Sequence, residues 1–327
     1  MSVGPGDSDS SSRAEAGPAV WDTVIVGAGA AGLTCAIYAG RARLSALVLE
    51  RMVPGGQIAL NDVIENYPGF PDGIGGVELA QRMAQQAARF GARIQTATLE
   101  GIEVAGRPLR MRLAGEGPDS ALRARSVLIA TGCSPRKLGV PGERELAGRG
   151  VSYCATCDGP LFAEKPLVVV GGGNTAIDEA LFLANIASTV TVVHRRDQLR
   201  ADAILQERAF ADPKIEFLWS HVLTEIVGDE SVEGVRARHT ETNEETELSA
   251  AGVFIAVGET PQTGFLPGEV ARDDAGYIVT GSDFQTSVPG IFAAGDVRAG
   301  AYRQIAAAAG EGVLAYRSIR RYLEEND

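Results

Sequence analysis

Two stretches of the chain repeat one order of apolar and polar positions. Residues 21–26 read WDTVIV, a short apolar run rich in β-branched residues that predicts a buried strand. Gly27-Ala28-Gly29-Ala30-Ala31-Gly32 follows, and then LTCAIYAGRAR with its apolar residues at helical spacing. The next apolar run, 46–49, ends at Glu50, 18 residues after Gly32. The order recurs further on. The apolar run 167–170 leads into Gly171-Gly172-Gly173-Asn174-Thr175-Ala176, then IDEALFLANIA at helical spacing, then a strand over 190–193. That strand ends in His194-Arg195-Arg196, with Arg200 close behind, where the first ended in an acid. Two more runs, SVLIATGCSPR (126–136) and GVFIAVGETPQ (252–262), are strands running into a glycine turn with a proline, and each closes one unit. After Pro261 a strand ending in Gly295-Asp296 and a further helix complete the first unit, so the second unit is inserted into it.

Strand, G-x-G-x-x-G, helix, strand and acid each have a physical use. Gly27 allows the tight turn, Gly29 lets the backbone approach a pyrophosphate, and Gly32 lets helix and strand pack closely. The helix N-terminus binds phosphates and Glu50 accepts from ribose hydroxyls. An acid at the second site would repel a 2′-phosphate, whereas arginines pair with it bidentately. The first site therefore suits a nucleotide with free ribose hydroxyls and the second suits NADPH. The plainer readings are a glycine turn without ligand, a solvated basic turn, and Asp296 as a helix cap rather than a ribityl or ribose partner. The fold class expected is α/β, with two Rossmann-like dinucleotide-binding domains, the NADPH domain inserted into the first. Two such units in one chain are the layout of two-dinucleotide flavoproteins.

Just before the second glycine turn the chain reads VSYCATCDGP, with Cys154 and Cys157 in a C-x-x-C. Such a pair closes a small disulfide loop whose first cysteine often has a lowered pKa. Asp158 follows and is placed to donate a proton to a leaving thiolate, unless it is a loop or cap carboxylate. A structural zinc site needs four ligands, and neither a second C-x-x-C nor metal spacing among His194, His221 and His239 supplies them. Cys35 falls on the apolar stripe of the first helix and reads as core. Cys133, in the glycine turn, is given no role.

The chain has 327 residues, more than one core usually supports, which favours two domains. Its net charge of −12 and the lack of any basic run argue against nucleic acid. No stretch approaches the roughly 18 apolar residues of a membrane span. The first 19 residues are small, polar and acidic, without the parts of a secretory signal, and read as a disordered tail. A cytoplasmic location is expected.

The segments GAGAAG, GGQI, ENYPGF, CATCDG, GGGNTA, HRRDQLRA, TSVPGIFAAGDV and YRQIAAAAGEG resemble, in order, the motif set of the low-molecular-weight thioredoxin reductases. The resemblance covers roughly residues 20–325, and CATCDG together with HRRxxxR makes it specific. It implies a homodimer with an FAD domain at about 20–136 plus 260–327 and an NADPH domain at about 137–259. It implies FAD contacts at Gly27, Gly29, Ala30, Glu50, Gly56, Gln57, Asn66, Asp296, Arg303, Gln304 and Ile305. It implies NADPH contacts at Gly173, Asn174, Thr175, Arg195, Arg196 and Arg200. It implies a mechanism in which hydride passes from NADPH to the flavin and then to the Cys154–Cys157 disulfide. By the same resemblance Cys157 is expected to face the flavin, Cys154 to attack the disulfide of thioredoxin, and Asp158 to supply or accept a proton. One pose cannot place both nicotinamide and disulfide at the flavin, so the family rotates one domain on the other; the connections near 134–137 and 258–262 fit hinges. Departures are modest: Glu50 stands where some members carry a neutral residue, and GETPQT replaces GxxPNT. A dithiol oxidase or a ferredoxin-dependent relative would lack the arginines. A flavin redox sensor without turnover has nothing in the sequence to favour it.

Overall fold

The computed structural model describes residues 18–60, 63, 64, 66–115, 117 and 121–326. The tail expected over 1–19 lies, but for residues 18 and 19, outside the described residues. The first glycine motif sits between β1 (Trp21–Val26) and α1 (Ala30–Arg41), and β2 (Ala46–Glu50) follows. Then come α2 (Gly76–Arg89), β3 (Arg93–Thr96), β4 (Leu99–Glu103), β5 (Leu109–Leu113) and β6 (Leu122–Ile129). These strands form a sheet in the order β3-β2-β1-β6-β5-β4. Its parallel strands β1 and β2 and the end of β6 are buried on both faces, which is why they read as unbroken apolar runs. Val24, Val26, Leu47 and Leu49 point into one apolar cluster. Ile25, Ala46 and Val48 point into the other, with α1 and α2.

The chain leaves this sheet through β7 (Cys133–Pro135) and builds a second one. Its elements are β8 (Val151–Ser152), α3 (Ala155–Asp158), β9 (Pro166–Val170), α4 (Asn174–Ala184), β10 (Thr189–His194), α5 (Ala203–Ala211) and β11 (Ile215–Trp219). An antiparallel trio follows, β12 (His221–Val227), β13 (Gly234–His239) and β14 (Glu245–Ser249), before β15 (Gly252–Ile255). The order β11-β10-β9-β15-β8 is parallel throughout. The return strand β16 (Glu259–Pro261) pairs antiparallel with β7, so both expected hinge segments meet in one two-stranded ribbon. Cys133, expected in a glycine turn, lies in that ribbon. After it, β17 (Ile291–Ala293) pairs parallel with the end of β6, and α6 (Ile305–Glu325) packs on α1. That packing is close: a Cβ at Gly312 would lie 2.3 Å from the Ala31 carbonyl oxygen.

Candidate active site

At the first glycine turn Gly27 adopts φ +106°, and a Cβ there would meet the Ala130 carbonyl oxygen at 2.4 Å. A Cβ on Gly32 would lie 2.0 Å from the Gly27 carbonyl oxygen, so this position locks α1 onto the turn. Gly29 differs: a Cβ there would have nothing within 4 Å. Gly29 is the N-cap of α1 and no side chain caps the helix. Unpaired N–H groups facing open space suit an anion. The second turn repeats this. A Cβ on Gly171 would lie 2.5 Å from the Ala256 carbonyl oxygen, while one on Gly173, the uncapped N-cap of α4, would meet nothing within 4 Å.

Of the other residues assigned to FAD, Glu50 and Gly56 lie at the first turn, Asp296 follows a glycine packed on α1, and Asn66 meets Gln304 at the start of α6. The Glu50 carboxylate accepts from the backbone N–H of Ala28 (2.9 Å) and of Met52 (3.1 Å), which sets it beside the turn. The Gly55 N–H donates to the Ala28 carbonyl, so Gly56 and Gln57, opening the 3-10 turn Gly56–Leu60, lie against it. Gln57 Nε2 donates to the Cys133 carbonyl at 2.8 Å. Asn66 Nδ2 donates to Gln304 Oε1 at 3.1 Å. Gln304 is the N-cap of α6, flanked by Arg303 and by Ile305, the first helical residue. Asp296 follows Gly295, which packs against Ala31 of α1. Burial, with the charge of Glu259 adding to it, pushes the Asp296 carboxyl up to about 6. Its Oδ1 is buried without a hydrogen-bond partner among the described residues, a cost of about 1–3 kcal/mol. An oxygen in that state suits a ligand hydroxyl, so these residues fit FAD.

At the second turn the Arg200 N–H donates to the Gly172 carbonyl at 2.7 Å, folding the arginine loop onto the glycines. The His194 ring fills the space above Gly172, which a Cβ would enter at 2.3 Å. Burial, and the three arginines beyond it, hold His194 below its ordinary pKa. Arg195, Arg196 and Arg200 are exposed, as groups awaiting a soluble phosphate must be. Asn174 and Thr175 open α4; the Asn174 side chain exchanges two 2.8 Å hydrogen bonds with Asp202, tying the helix start to α5. The set fits a dinucleotide carrying a 2′-phosphate.

The cysteines Cys154 and Cys157 form a disulfide. The Asp158 N–H donates to the Cys154 carbonyl, making one helical turn of the motif. Ser152 Oγ donates to Asp158 Oδ2 at 2.6 Å and accepts from the Cys154 N–H at 3.1 Å, so Asp158 is anchored beside the disulfide. Gln304 Nε2 donates to Thr156 Oγ1 at 3.2 Å, so the redox loop rests on the flavin-side residues.

Sequence reasoning missed three carboxylates and this threonine. Glu143 is buried and accepts from the N–H of Leu138 and Gly139 and from the Tyr153 hydroxyl (2.7 Å), tying the chain just after β7 to the residue before Cys154. Glu179 Oε1 accepts from the Ala155 N–H at 3.4 Å. Burial, opposed by that bond and helped by Glu259, raises Glu179 to about 7. One signal was available for it: Glu179 shares a helical face with the buried Ala176 and Leu183. Glu259 opens β16, and Arg303 Nε lies 2.6 Å from its Oε2.

Two glycine-cradled nucleotide sites with a dithiol pair define a pyridine nucleotide-disulfide oxidoreductase. The model of the pyridine nucleotide-disulphide oxidoreductase family matches residues 21–312, and the chain belongs to that family. Within it the chain groups with the low-molecular-weight thioredoxin reductases. The thioredoxin reductase of Listeria monocytogenes is 47% identical over 94% of this chain and 95% of its own. That of Streptococcus pyogenes, of known structure, is 44% identical, covers 94% of this chain and 99% of its own, and superposes with a TM-score of 0.87. The Lactococcus lactis enzyme, in a form described as the FR conformation, is 42% identical over 93% and 99%, with a TM-score of 0.65. No helix among the described residues is long and apolar enough to cross a membrane, and none of them cluster as a metal site.

Proposed function

We propose that this chain is an NADPH-dependent flavoprotein disulfide reductase whose substrate is oxidised thioredoxin. The observation that carries the reading is the Thr156–Gln304 contact: the redox disulfide is docked on the flavin-side residues, while the arginine-lined nucleotide site sits on the same inserted unit. FAD, when bound, would supply the two-electron carrier between NADPH and the Cys154–Cys157 disulfide. Gly27, Gly29 and Ala30 hold its pyrophosphate, Glu50 and Asp296 take hydroxyls, and Gly56, Gln57, Asn66, Arg303, Gln304 and Ile305 complete its site. Gly173, Asn174 and Thr175 hold the NADPH pyrophosphate, and Arg195, Arg196 and Arg200 take the 2′-phosphate.

The dithiol chemistry belongs to the chain's own residues. The Cys154 thiolate attacks one sulfur of the partner disulfide, forming a mixed disulfide and releasing a partner thiolate. The Cys157 thiolate then attacks Cys154 Sγ, re-forming the Cys154–Cys157 bond and releasing the second partner thiolate. Asp158, held by Ser152, supplies the proton a leaving thiolate takes.

A domain division of 20–136 plus 260–327 against 137–259, with the β7–β16 ribbon as hinge, belongs to the same reading. Two relatives of nearly equal identity match at TM-scores of 0.87 and 0.65, which supports two arrangements of the same units. The resemblance to the family supports a cytoplasmic homodimer; sedimentation of the holoenzyme tests the dimer.

The test mixes purified holoprotein, NADPH and oxidised thioredoxin and follows NADPH loss by absorbance. Loss that needs thioredoxin and vanishes in Cys154→Ser is expected. Flavin bleaching by NADPH without thioredoxin turnover would move the substrate to another disulfide protein. No bleaching at all would overturn the NADPH site.

A further inference from the structure

The ribbon that joins the two units carries a carboxylate that neither half-reaction uses. Glu259 opens β16 and stands opposite Pro135 of β7. Its side chain is only 26% exposed, and Arg303 Nε approaches its Oε2 to 2.6 Å. The N–H is not aligned on that oxygen, so the contact is a charge pair rather than a hydrogen bond. The Arg303 guanidinium also sits 5.0 Å from the centre of the Tyr277 ring. The groups that feel Glu259 include Cys133 in β7, Asp296 after β17, Glu179 on α4 and Tyr277, with the cations Arg303 before α6 and Arg136 beside Thr260 on the same ribbon. Asp296 and Arg303 belong to the proposed flavin site, and Glu179 touches the redox loop through Ala155. Glu259 therefore acts on both the proposed flavin site and the residue that holds the redox loop.

We propose that Glu259 is a positioning residue for electron transfer: paired with Arg303, it keeps the flavin site close to electrically neutral and so sets the potential of the bound flavin. The inference rests on the flavoprotein reading above. A flavin taking up two electrons gains negative charge, so a nearby carboxylate opposes reduction and a nearby guanidinium favours it. As a pair the two largely cancel.

The test is a dye-coupled reductive titration of the holoenzyme, run in a Cys154→Ser, Cys157→Ser background so that the flavin alone takes up electrons. Glu259→Gln, which leaves Arg303 uncompensated, is expected to shift the midpoint potential positive. Arg303→Met, which leaves Glu259 uncompensated, is expected to shift it negative. The double variant should return toward the parent value, and Glu259→Asp should stay near it. A residue that only props up the fold would not give opposite shifts that cancel. Shifts of the same sign, or no shift in either single variant, overturn the proposal. If Glu259→Gln does not retain flavin, the Glu259→Asp and Arg303→Met pair decides: a parental value with a negative shift supports it, and equal values overturn it. The flavoprotein reading fails separately, through absence of NADPH-driven bleaching in the parent enzyme.

Discussion

The Gln304 amide donates to the Thr156 hydroxyl at 3.2 Å across 148 residues of sequence. Thr156 lies between the two redox cysteines, and its hydroxyl is 3.5 Å from Cys154 Sγ. Gln304 is in turn held by Asn66. The redox loop is thus fastened to the far side of the site by a hydrogen bond between exposed side chains. Such a bond is worth about 0.5–1.5 kcal/mol, a factor of about two to ten in a docking equilibrium. Thr156→Val, nearly isosteric, is expected to slow electron passage from flavin to disulfide by that factor. Rapid mixing with NADPH separates the steps: flavin bleaching should keep its rate while disulfide reduction slows. Equal slowing of both phases would show that the bond does not act on docking.

The glycines of the first turn are expected to divide by what lies above them. Gly32→Ala forces a Cβ to 2.0 Å from the Gly27 carbonyl oxygen, which must separate α1 from its turn. Overpacking of this kind typically costs about 1–3 kcal/mol, so thermal unfolding of the apoprotein should come earlier. Gly29→Ala meets nothing within 4 Å. The apoprotein should unfold as the parent does, while FAD affinity falls because the methyl occupies the phosphate face. Retained FAD affinity in Gly29→Ala would remove the pyrophosphate from that turn.

Much of this fold was legible because the central parallel strands are apolar on both faces and those that open or close each unit run into a glycine turn. WDTVIV and LVVV became β1 and the body of β9, and the insertion of one unit in the other followed from their order. What stayed hidden depends on contacts distant in sequence. Glu143 reads as a loop acid until Tyr153 and the amides of Leu138 and Gly139 close on it. Cys133 reads as part of a turn until β16 returns to pair with β7. Glu259 and Arg303, 44 residues apart in number, meet only because α6 starts beside the ribbon. No local period records such meetings.

The arginines beyond β10 carry a prediction about cofactor choice. Arg195, Arg196 and Arg200 are exposed, and the folded loop does not consume their charge in any ion pair among the described residues. Removing one charge-assisted partner of a phosphate loses about 1.5–3 kcal/mol. Arg196→Ala should therefore raise the KM for NADPH by about ten- to a hundredfold and leave that for NADH nearly unchanged. Steady-state kinetics with both nucleotides check it. A parallel loss for NADH would place the arginine elsewhere than on the 2′-phosphate.

Glu179 links protonation to stability. Burial lifts its carboxyl from the ordinary 4.5 to about 7 in the folded protein. An acid with a raised folded pKa favours the fold most when protonated in both states. That contribution is fully present below about 4.5 and is lost as pH rises through about 7. Asp296, raised to about 6, adds a loss of the same sign. The apoprotein should therefore lose stability across this window as these two groups ionise. Glu179→Gln removes one of them and keeps an oxygen for the Ala155 N–H. Its melting temperature should fall less than the parent's between about pH 5 and pH 8, with the gain confined to the upper end. The remaining slope then belongs to Asp296 and the rest of the chain. Parallel curves for parent and variant would mean that Glu179 is ionised throughout, with water reaching Oε2, which has no hydrogen-bond partner among the described residues.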